Sequence, residues 1–453
     1  MKAHPVPIYA YVLLPLLISC FACPFPPPCQ CSFRYPNALC VGLNLTSIPK
    51  IFPTPYGGWG VNFLDNRLRH IPANAFQGIK LQTLVLSENV IETVEDQAFS
   101  GSENSITDLE IVGNKLTSLP TAFGKLQNLQ ALSLSKNPLR DFDQEIMKNI
   151  SKLLTYIDFG SRELRQWPTG LKYLTKLSML VITNTSFDSL PGDAFSSFKA
   201  SLQYLEINNT PLKTLHYSSM NKLYHLQELK LNGNTNLTAE AINDSTKPDG
   251  LPGLVQVTFQ NNGLTTLPDV FQNASQLYSI TVLDEPIVSL DDNLFTSNFS
   301  SEFQSLTMNN TKLSHVPKCV SKVNSITRLQ ITNSNISFIG KDDFYGMMNL
   351  LTLDLSANPI WNVSDDAFRK NNALKYLHFG NTRLQDIPRS IQNLKSPKYL
   401  SLSGCPIVCS CDNLGWIKNW KTRPENFQID GKCNNVKTDL MDYIKNEIPK
   451  CTG

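Results

Sequence analysis

Short alternations of apolar and polar residues recur along this chain at a nearly constant distance. Within residues 350–368, Leu353 and Leu355 alternate with polar neighbours, which is typical of a short strand with one buried face. The alternation begins at fifteen positions, 23 to 28 residues apart. These strand starts are Val61, Leu84, Leu109, Leu132, Ile157, Leu180, Leu205, Leu229, Val257, Ile280, Leu306, Leu329, Leu353, Leu377 and Leu400. Self-similarity at this period predicts a repeat architecture.

A second position recurs with the same period as the strand starts. Five residues after a start the chain most often has asparagine, and small hydroxyl residues fill most of the other places. We call it the ladder position, because a short polar side chain there can bond buried backbone groups of the adjacent coil. Arg162 and Glu285 fit this role poorly, and we expect both to turn outward. Fourteen or fifteen residues after the strand start, most units have another apolar residue, often phenylalanine, such as Phe344 or Phe368.

This pattern resembles the leucine-rich repeat consensus L-x-x-L-x-L-x-x-N/C-x-L over essentially the whole chain after residue 22. The resemblance implies an α/β repeat fold of about 15 units. Such units form a right-handed solenoid, or horseshoe, with a parallel β-sheet on its concave face. At about 4.8 Å per strand, the concave sheet would be about 70 Å long.

The N-terminus indicates the compartment. Lys2 precedes an apolar run from Val6 to Phe21, and small residues before Cys23 suit a cleavage site. We interpret residues 1–22 as a signal peptide, the alternative being an uncleaved anchor. The run is shorter than the roughly 20 residues that a membrane span needs, and no later apolar stretch reaches that length. We therefore expect a secreted, extracellular protein without membrane insertion.

Two cysteine clusters flank the repeats. In a secreted chain they indicate disulfides, the alternative being a four-cysteine zinc site. The clusters resemble the cysteine-rich caps of extracellular leucine-rich repeat proteins. That resemblance implies the pairs Cys23–Cys31 and Cys29–Cys40 in an N-terminal cap (23–60), and Cys409–Cys433 and Cys411–Cys451 in a C-terminal cap (405–453). Residues 61–404 would form the repeats.

Three further features concern two cysteines and the longest unit. Cys405 occupies a ladder position, and we expect it to be buried and reduced. Cys319 has no evident partner and is either a packed thiol or one half of an intermolecular disulfide. Residues 235–253 belong to the longest unit and are rich in Gly, Pro, Asn and Asp, so we expect a looped-out segment. It is either a tolerated surface insertion or a feature with a role, namely a kink or a loop that contacts a partner.

Composition and motifs exclude several classes of function. The 453 residues carry a net charge of only +2, which gives no strong electrostatic field to attract nucleic acid or acidic membranes. The six histidines form no metal motif, and no phosphate loop, nucleophile elbow or dinucleotide pattern is present. We therefore expect no enzyme activity, no catalytic or metal-binding residues and no cofactor.

Eleven glycosylation sequons suit a secreted glycoprotein. They begin at Asn44, Asn149, Asn184, Asn208, Asn236, Asn243, Asn273, Asn298, Asn309, Asn335 and Asn362. Asn208 and Asn309 lie three residues after their strand starts. Glycans at these two positions would crowd the middle of the concave face of the sheet.

Outward strand positions supply candidates for partner binding. Exposed tyrosines beside charges provide anchoring area with a polar tip. The candidates are Tyr156, Tyr204, Arg328, Tyr376, His378 and Tyr399. The alternative is that these positions simply tolerate tyrosine. The C-terminal group of Tyr376, His378 and Tyr399 is the first candidate for the binding site, because it is far from the two concave sequons.

We predict a secreted recognition protein that binds a protein partner, such as a cell-surface receptor, by its concave face. One alternative is a non-catalytic subunit or carrier of a secreted enzyme. The organisation is similar to arthropod secreted leucine-rich repeat proteins, including the non-catalytic subunit of shrimp luciferase. A second alternative is an extracellular matrix component.

Overall fold

The computed structural model describes residues 23–32, 34, 36–54, 57–221, 223–247, 250–295, 299–420 and 423–451. The expected signal peptide and the sequon residue Asn298 lie outside these ranges. The strands are β1 Gln30–Ser32, β2 Asn37–Leu39, β3 Gly57–Asn62, β4 His70–Ile71, β5 Lys80–Val85, β6 Thr93–Val94, β7 Asp108–Glu110, β8 Ala131–Ser133, β9 Tyr156–Phe159, β10 Met179–Thr183, β11 Tyr204–Asn208, β12 Glu228–Asn232, β13 Gln256–Gln260, β14 Ser279–Leu283, β15 Ser305–Asn309, β16 Arg328–Thr332, β17 Phe338–Ile339, β18 Thr352–Asp354, β19 Asn362–Val363, β20 Tyr376–His378, β21 Tyr399–Ser401 and β22 Gln428–Asp430.

The helices are short and lie between the strands or in the C-terminal region. The α-helices are α1 Gln144–Ile150, α2 Tyr217–Met220, α3 Ala239–Thr246, α4 Cys411–Leu414 and α5 Leu440–Asn446. Turns of 3₁₀ helix cover Thr121–Lys125, Thr169–Tyr173, Val320–Lys322, Arg389–Asn393, Gly415–Asn419 and Ile448–Lys450.

One long sheet organises the described part of the chain. Its 18 strands follow chain order from β1 to β22, without β4, β6, β17 and β19. All neighbours are parallel except β1 and β2, which are antiparallel. The other four strands form two small sheets, β4 with β6 and β17 with β19. Each of the fifteen expected strand starts lies in a strand of the main sheet, from β3 to β21.

The repeated apolar positions form one continuous core on one side of the sheet. Leu353 and Leu355 are fully buried, as are their equivalents in other coils. Behind the sheet, Phe76 stacks on Phe99 with ring centroids 6.2 Å apart, and Phe344 stacks on Phe368 at 5.7 Å. The other side carries the outward strand residues, and we call it the open face.

An asparagine at the ladder position joins its coil to the preceding one. Asn89 shows the pattern: its Oδ1 accepts a hydrogen bond from Leu68 N at 3.0 Å, and its Nδ2 donates to the Phe63 carbonyl at 2.9 Å. In the last repeat, the Cys405 thiol donates to the Phe379 carbonyl at 3.0 Å. The short polar side chain thus satisfies buried backbone groups that the turn leaves unpaired.

The expectation that Arg162 and Glu285 turn outward is wrong for Glu285. Arg162 is exposed, but the Glu285 side chain is fully buried. Its Oε1 accepts from Asn262 N at 2.9 Å and from Asn262 Nδ2 at 2.8 Å, and its Oε2 accepts from Leu264 N at 2.7 Å. The carboxylate therefore acts as the acceptor that asparagine provides elsewhere, and its three donors compensate for its burial.

The longest unit is also more ordered than expected. Residues 235–253 contain helix α3, whose N-cap Thr238 accepts a hydrogen bond from Ala241 N at 3.1 Å. Leu237, Ile242 and Leu251 are buried, so the segment packs on the core and is not looped out. Residues 248–249 lie outside the described part of this segment.

Two disulfides tie each end of the solenoid. The pairs are Cys23–Cys31, Cys29–Cys40, Cys409–Cys433 and Cys411–Cys451, the same four that the resemblance implies. Among the described residues, Cys319 and Cys405 are the free cysteines, and both are buried. Burial raises the pKa of the Cys319 thiol to about 12.

Candidate functional site

Two groups of outward side chains stand out on the open face. The acidic patch comprises Asp108, Glu110, Tyr156, Asp158, Tyr204, Glu206, Glu228 and Lys230 on strands β7 to β12. The C-terminal patch comprises Tyr376, His378, Tyr399, Ser401 and Asp430 on β20 to β22. Between them, β13 to β15 present neutral polar residues such as Thr258, Thr281 and Thr307. The six candidate binding residues therefore do not form one site.

The acidic patch forms because parallel registry aligns the outward residues of successive strands. Asp158 pairs with Val181 on the next strand, and Val181 pairs with Glu206 on the strand after that. Burial raises the pKa of the Asp158 carboxyl, and the charges of Glu206 and Glu110 act in the same direction. Ser135 opposes this shift by donating a hydrogen bond to Asp158. The patch therefore holds negative charge at some cost to the fold.

Tyr204 is held inside this patch by its neighbours. Its hydroxyl donates to Glu206, and Lys230 Nζ lies 5.0 Å from the centre of its ring. Burial and the bond to Glu206 raise the pKa of Tyr204 to about 12. The Lys230 ammonium also lies 2.8 Å from Glu228, and this contact raises its pKa. The only strong positive charge in the patch is thus already paired within it.

The expected sequon at Asn208 lies at the edge of the acidic patch. Asn208 Nδ2 donates to Glu206 Oε1 at 2.7 Å, so a glycan on this nitrogen would lie directly beside Tyr204 and Glu206. Asn309, at the end of β15, donates to Thr332 Oγ1 at 2.7 Å. Both sequon side chains are half-buried.

The C-terminal patch is an aromatic cluster in which one tyrosine is hydrogen-bonded to a carboxylate. Tyr399 Oη donates to Asp430 Oδ2 at 2.9 Å, and the ring centroids of Tyr399 and His378 are 5.5 Å apart. Ser401 Oγ also donates to Asp430 Oδ2, at 3.1 Å, and Ser403 Oγ donates to Oδ1 at 2.6 Å. Three donors thus satisfy the carboxylate, and the hydrogen bond from Tyr399 holds that ring in position beside His378.

These contacts set the protonation states in the patch. The hydrogen bond from Ser403 lowers the pKa of Asp430, and the bonds from Tyr399 and Ser401 act in the same direction. Burial and the neighbouring Asp430 raise the pKa of Tyr399. At neutral pH the pair is therefore a phenol that donates to a carboxylate. Tyr376 pairs in register with Tyr399 and lies beside it on the open face.

Sequence reasoning found three members of this patch but missed Asp430. Asp430 belongs to β22, in the C-terminal region, where the repeat period no longer applies. The alternation Gln428-Ile429-Asp430 is the signal that could have revealed this strand. Arg328, in contrast, lies alone on β16 between Ser305 and Thr352 and belongs to neither patch.

Two absences hold for the described ranges of the chain. No group of three or more metal-ligating side chains comes together in those ranges. No helix within them combines the length and the apolarity that a membrane span requires.

Comparison with known proteins identifies the class. The family described as "Leucine rich repeat" matches residues 64–116, 175–235 and 349–407, and "BspA type Leucine rich repeat region (6 copies)" matches residues 250–375. The chain belongs to the leucine-rich repeat proteins. Within that family it has cysteine-rich, disulfide-bonded regions at both ends of the repeats.

Curated relatives share only part of their length with this chain. Leucine-rich repeat-containing protein 3 of Danio rerio is 35% identical over 132 residues, which cover 27% of this chain and 47% of that protein. Toll-like receptor 8 of Homo sapiens is 30% identical over 132 residues, which cover 25% of this chain and 12% of the receptor. The chain thus spans less than half the length of these relatives.

Solved structures extend the likeness to almost the whole fold. One chain from the structure of the Toll–Spatzle complex of Drosophila superposes with a TM-score of 0.65 and 17% identity, and the match covers 89% of this chain and 65% of that one. The glycosylated form gives a TM-score of 0.59 at 16% identity, with 92% and 75% covered. At these identities the likeness concerns the horseshoe fold alone.

Proposed function

We propose that this chain is a secreted extracellular recognition protein that binds a protein partner through the concave, open face of its sheet. The C-terminal patch is the proposed contact. The observation that carries the proposal is the aromatic cluster of Tyr376, His378 and Tyr399, in which Asp430 orients Tyr399 before any partner arrives. Rigid aromatic side chains with a polar tip are the groups that most often dominate binding energy at protein interfaces.

Two further observations support this choice of patch. The cluster lies on β20 and β21, three or more strands beyond Asn309 on β15, so it does not border that sequon. The acidic patch, in contrast, borders the sequon at Asn208. One structurally similar chain comes from a complex of Toll with Spatzle, which agrees with a protein ligand for this architecture.

The test is capture of a partner from the native secretion fluid by the immobilised, glycosylated protein. The variant Tyr376→Ala with His378→Ala should reduce the captured partner at least about tenfold, because two central anchors are lost. Tyr156→Ala is the matched control, since it removes a tyrosine from the same face outside the patch. Equal losses in both variants would disprove the choice of patch.

The identity of the captured molecule tests the class of function. A receptor or other non-enzymatic protein at a fixed ratio supports recognition. A stoichiometric secreted enzyme would replace the proposal with a carrier or subunit role. Capture of polysaccharide or insoluble matrix alone would replace it with a matrix role.

A further inference from the structure

Four lysines lie together where the chain enters the last two repeat strands. Lys370 and Lys375 precede β20, and Lys395 and Lys398 precede β21. The backbone N–H of Lys398 donates to the carbonyl of Lys375 at 2.8 Å, so the two coils are in direct contact at this point. Lys375 is half-buried, and the other three side chains are exposed. We call this group the lysine cluster.

The lysine cluster has no acidic partner in the described part of the chain. Neither of the segments 370–375 and 393–398 contains an aspartate or a glutamate. None of the four lysines forms an ion pair with a described carboxylate. The neighbouring Arg369 differs, because Asp342 lies 2.7 Å from its guanidinium group. The cluster therefore concentrates positive charge on a chain whose net charge is only +2.

The surroundings define the extent of the cluster. No sequon follows Asn362, which lies in β19, outside the main sheet. Beyond β21, Arg423 and Glu425 precede β22 and contribute one charge of each sign. Towards the preceding coil, Lys370 Nζ lies 5.8 Å from the centre of the exposed Tyr345 ring. The cluster is thus a compact group of four positive charges on two adjacent coils.

We propose that the lysine cluster binds a sulfated polysaccharide. Adjacent like charges that the protein does not neutralise repel one another, and a bound polyanion removes that repulsion. The ammonium group of lysine is a compact charge with three donors, which suits the oxygen atoms of sulfate groups along a flexible chain. The disulfides at both ends of the solenoid are typical of the extracellular space, where such polymers occur.

A protein partner and a nucleic acid fit the lysine cluster less well. Lysine is depleted in protein interfaces, whose centres are dominated by aromatic and arginine side chains. A single-stranded nucleic acid gains affinity by stacking its bases on aromatic rings, and the neighbouring Tyr399 lies on the open face. Asp430, which accepts a hydrogen bond from Tyr399 at 2.9 Å, places a negative charge there that opposes the approach of phosphates.

Heparin is the probe that tests this inference. The dissociation constant of the glycosylated, secreted protein for heparin is measured by surface plasmon resonance at several salt concentrations. Lys375→Ala with Lys398→Ala removes two charges from the cluster, whereas arginine at both positions keeps them. Lys115→Ala with Lys312→Ala is the matched control, because these two exposed lysines lie outside the cluster, each directly after a ladder position.

We expect the wild type to bind heparin and the Lys375/Lys398 alanine variant to bind at least about tenfold more weakly. The slope of log Kd against the logarithm of the salt concentration should fall by about 2, because each lost lysine releases one counterion fewer. The control and the arginine variant should stay within about threefold of the wild type, and desulfated heparin should bind at least about tenfold more weakly. Circular dichroism verifies the fold of each variant.

A wild type that does not bind heparin at physiological salt would overturn the inference, and so would an alanine variant of the cluster that binds as well as the control. A DNA oligonucleotide is measured in parallel, and tighter binding of DNA than of heparin would assign the cluster to nucleic acid instead. The assay contains no protein partner, so its result is independent of the binding proposed for the open face.

Discussion

At the ladder position a single side chain normally has two tasks. Asparagine accepts from a backbone N–H of the preceding coil and donates to a carbonyl of its strand, as Asn137 does with Leu116 N and Ile111 O. Glu285 performs only the first task, because a carboxylate cannot donate. It compensates by accepting from three donors, among them both the backbone and the side chain of Asn262.

This arrangement predicts unequal effects of two substitutions. Glu285→Ala leaves buried donors at Asn262 and Leu264 unpaired and should cost about 3 kcal/mol of local stability. Glu285→Asn restores an acceptor for Leu264 and supplies a donor for the preceding strand, so it should cost no more than about 1 kcal/mol. Amide hydrogen exchange at Leu264 and its neighbours measures both values.

Arg162→Ala is the control, because Arg162 occupies the same repeat position but is exposed. We expect a change within about 0.5 kcal/mol, as for most surface substitutions. If Glu285→Ala is as mild as this control, the buried carboxylate has no role in joining the coils.

At the scale of the elements, the acidic patch shows how charges on separate strands shift the pKa of one carboxyl group. Asp158 on β9 is influenced by Glu110 on β7 and by Glu206 on β11, and its raised pKa reflects burial first and these charges second. A carboxyl whose folded-state pKa is above its unfolded value destabilises the fold at pH values above the folded pKa. This cost disappears as the pH falls through that pKa and the group is protonated.

Asp158→Asn should therefore stabilise the protein at pH 7, with a thermal midpoint about 2 °C higher than that of the wild type. The difference should shrink as the pH is lowered and vanish near pH 3, where the wild-type carboxyl is also neutral. Thermal melts of both proteins across this range provide the test. A constant difference at all pH values would mean that the substitution acts through packing and not through charge.

The elements also show which parts of the structure the sequence could predict. The main-sheet strands from β3 to β21 follow from strict alternation, because each buries one face in the same core. Helix α3 was missed because Gly, Pro and Asn around it suggested a loop, whereas the cap Thr238 and the buried Ile242 stabilise a helix. Asp430 was missed because β22 lies beyond the repeats, and only parallel pairing with β21 brings it beside Tyr399.

At the scale of the whole molecule, both ends of the solenoid are covered by disulfide-bonded segments. The bond Cys411–Cys451 closes a separation of 40 residues, and Cys23–Cys31 closes one of only 8. A longer closed loop removes more conformational freedom from the unfolded chain. The C-terminal bond should therefore contribute more stability.

Replacing Cys411 and Cys451 by serine should lower the free energy of unfolding by about 4 kcal/mol. Replacing Cys23 and Cys31 by serine should lower it by about 2.5 kcal/mol. Urea denaturation of both double variants, followed by circular dichroism, gives the comparison. A larger loss at the N-terminal bond would show that native-state contacts, and not chain entropy, determine the contribution of these bonds.

The large-scale arrangement of charge and sequons was only partly predictable. The sequence places Tyr156, Tyr204 and the C-terminal tyrosines on one face, and the strand starts already imply that several coils separate the two groups. It does not show which side chains bond to one another within the sheet. Lys230, for example, is paired inside the acidic patch and is not available as a free cation.

The ladder position has a consequence for how such a chain changes its length over generations. A coil with asparagine at this position bonds the coil before it through its own side chain, so duplication of such a unit brings along the group that attaches it. A gain or loss of one whole unit between Val61 and Leu400 leaves both disulfide-bonded ends intact. Changes in length by duplication can therefore enlarge the open face and move its two patches apart, without requiring new ends.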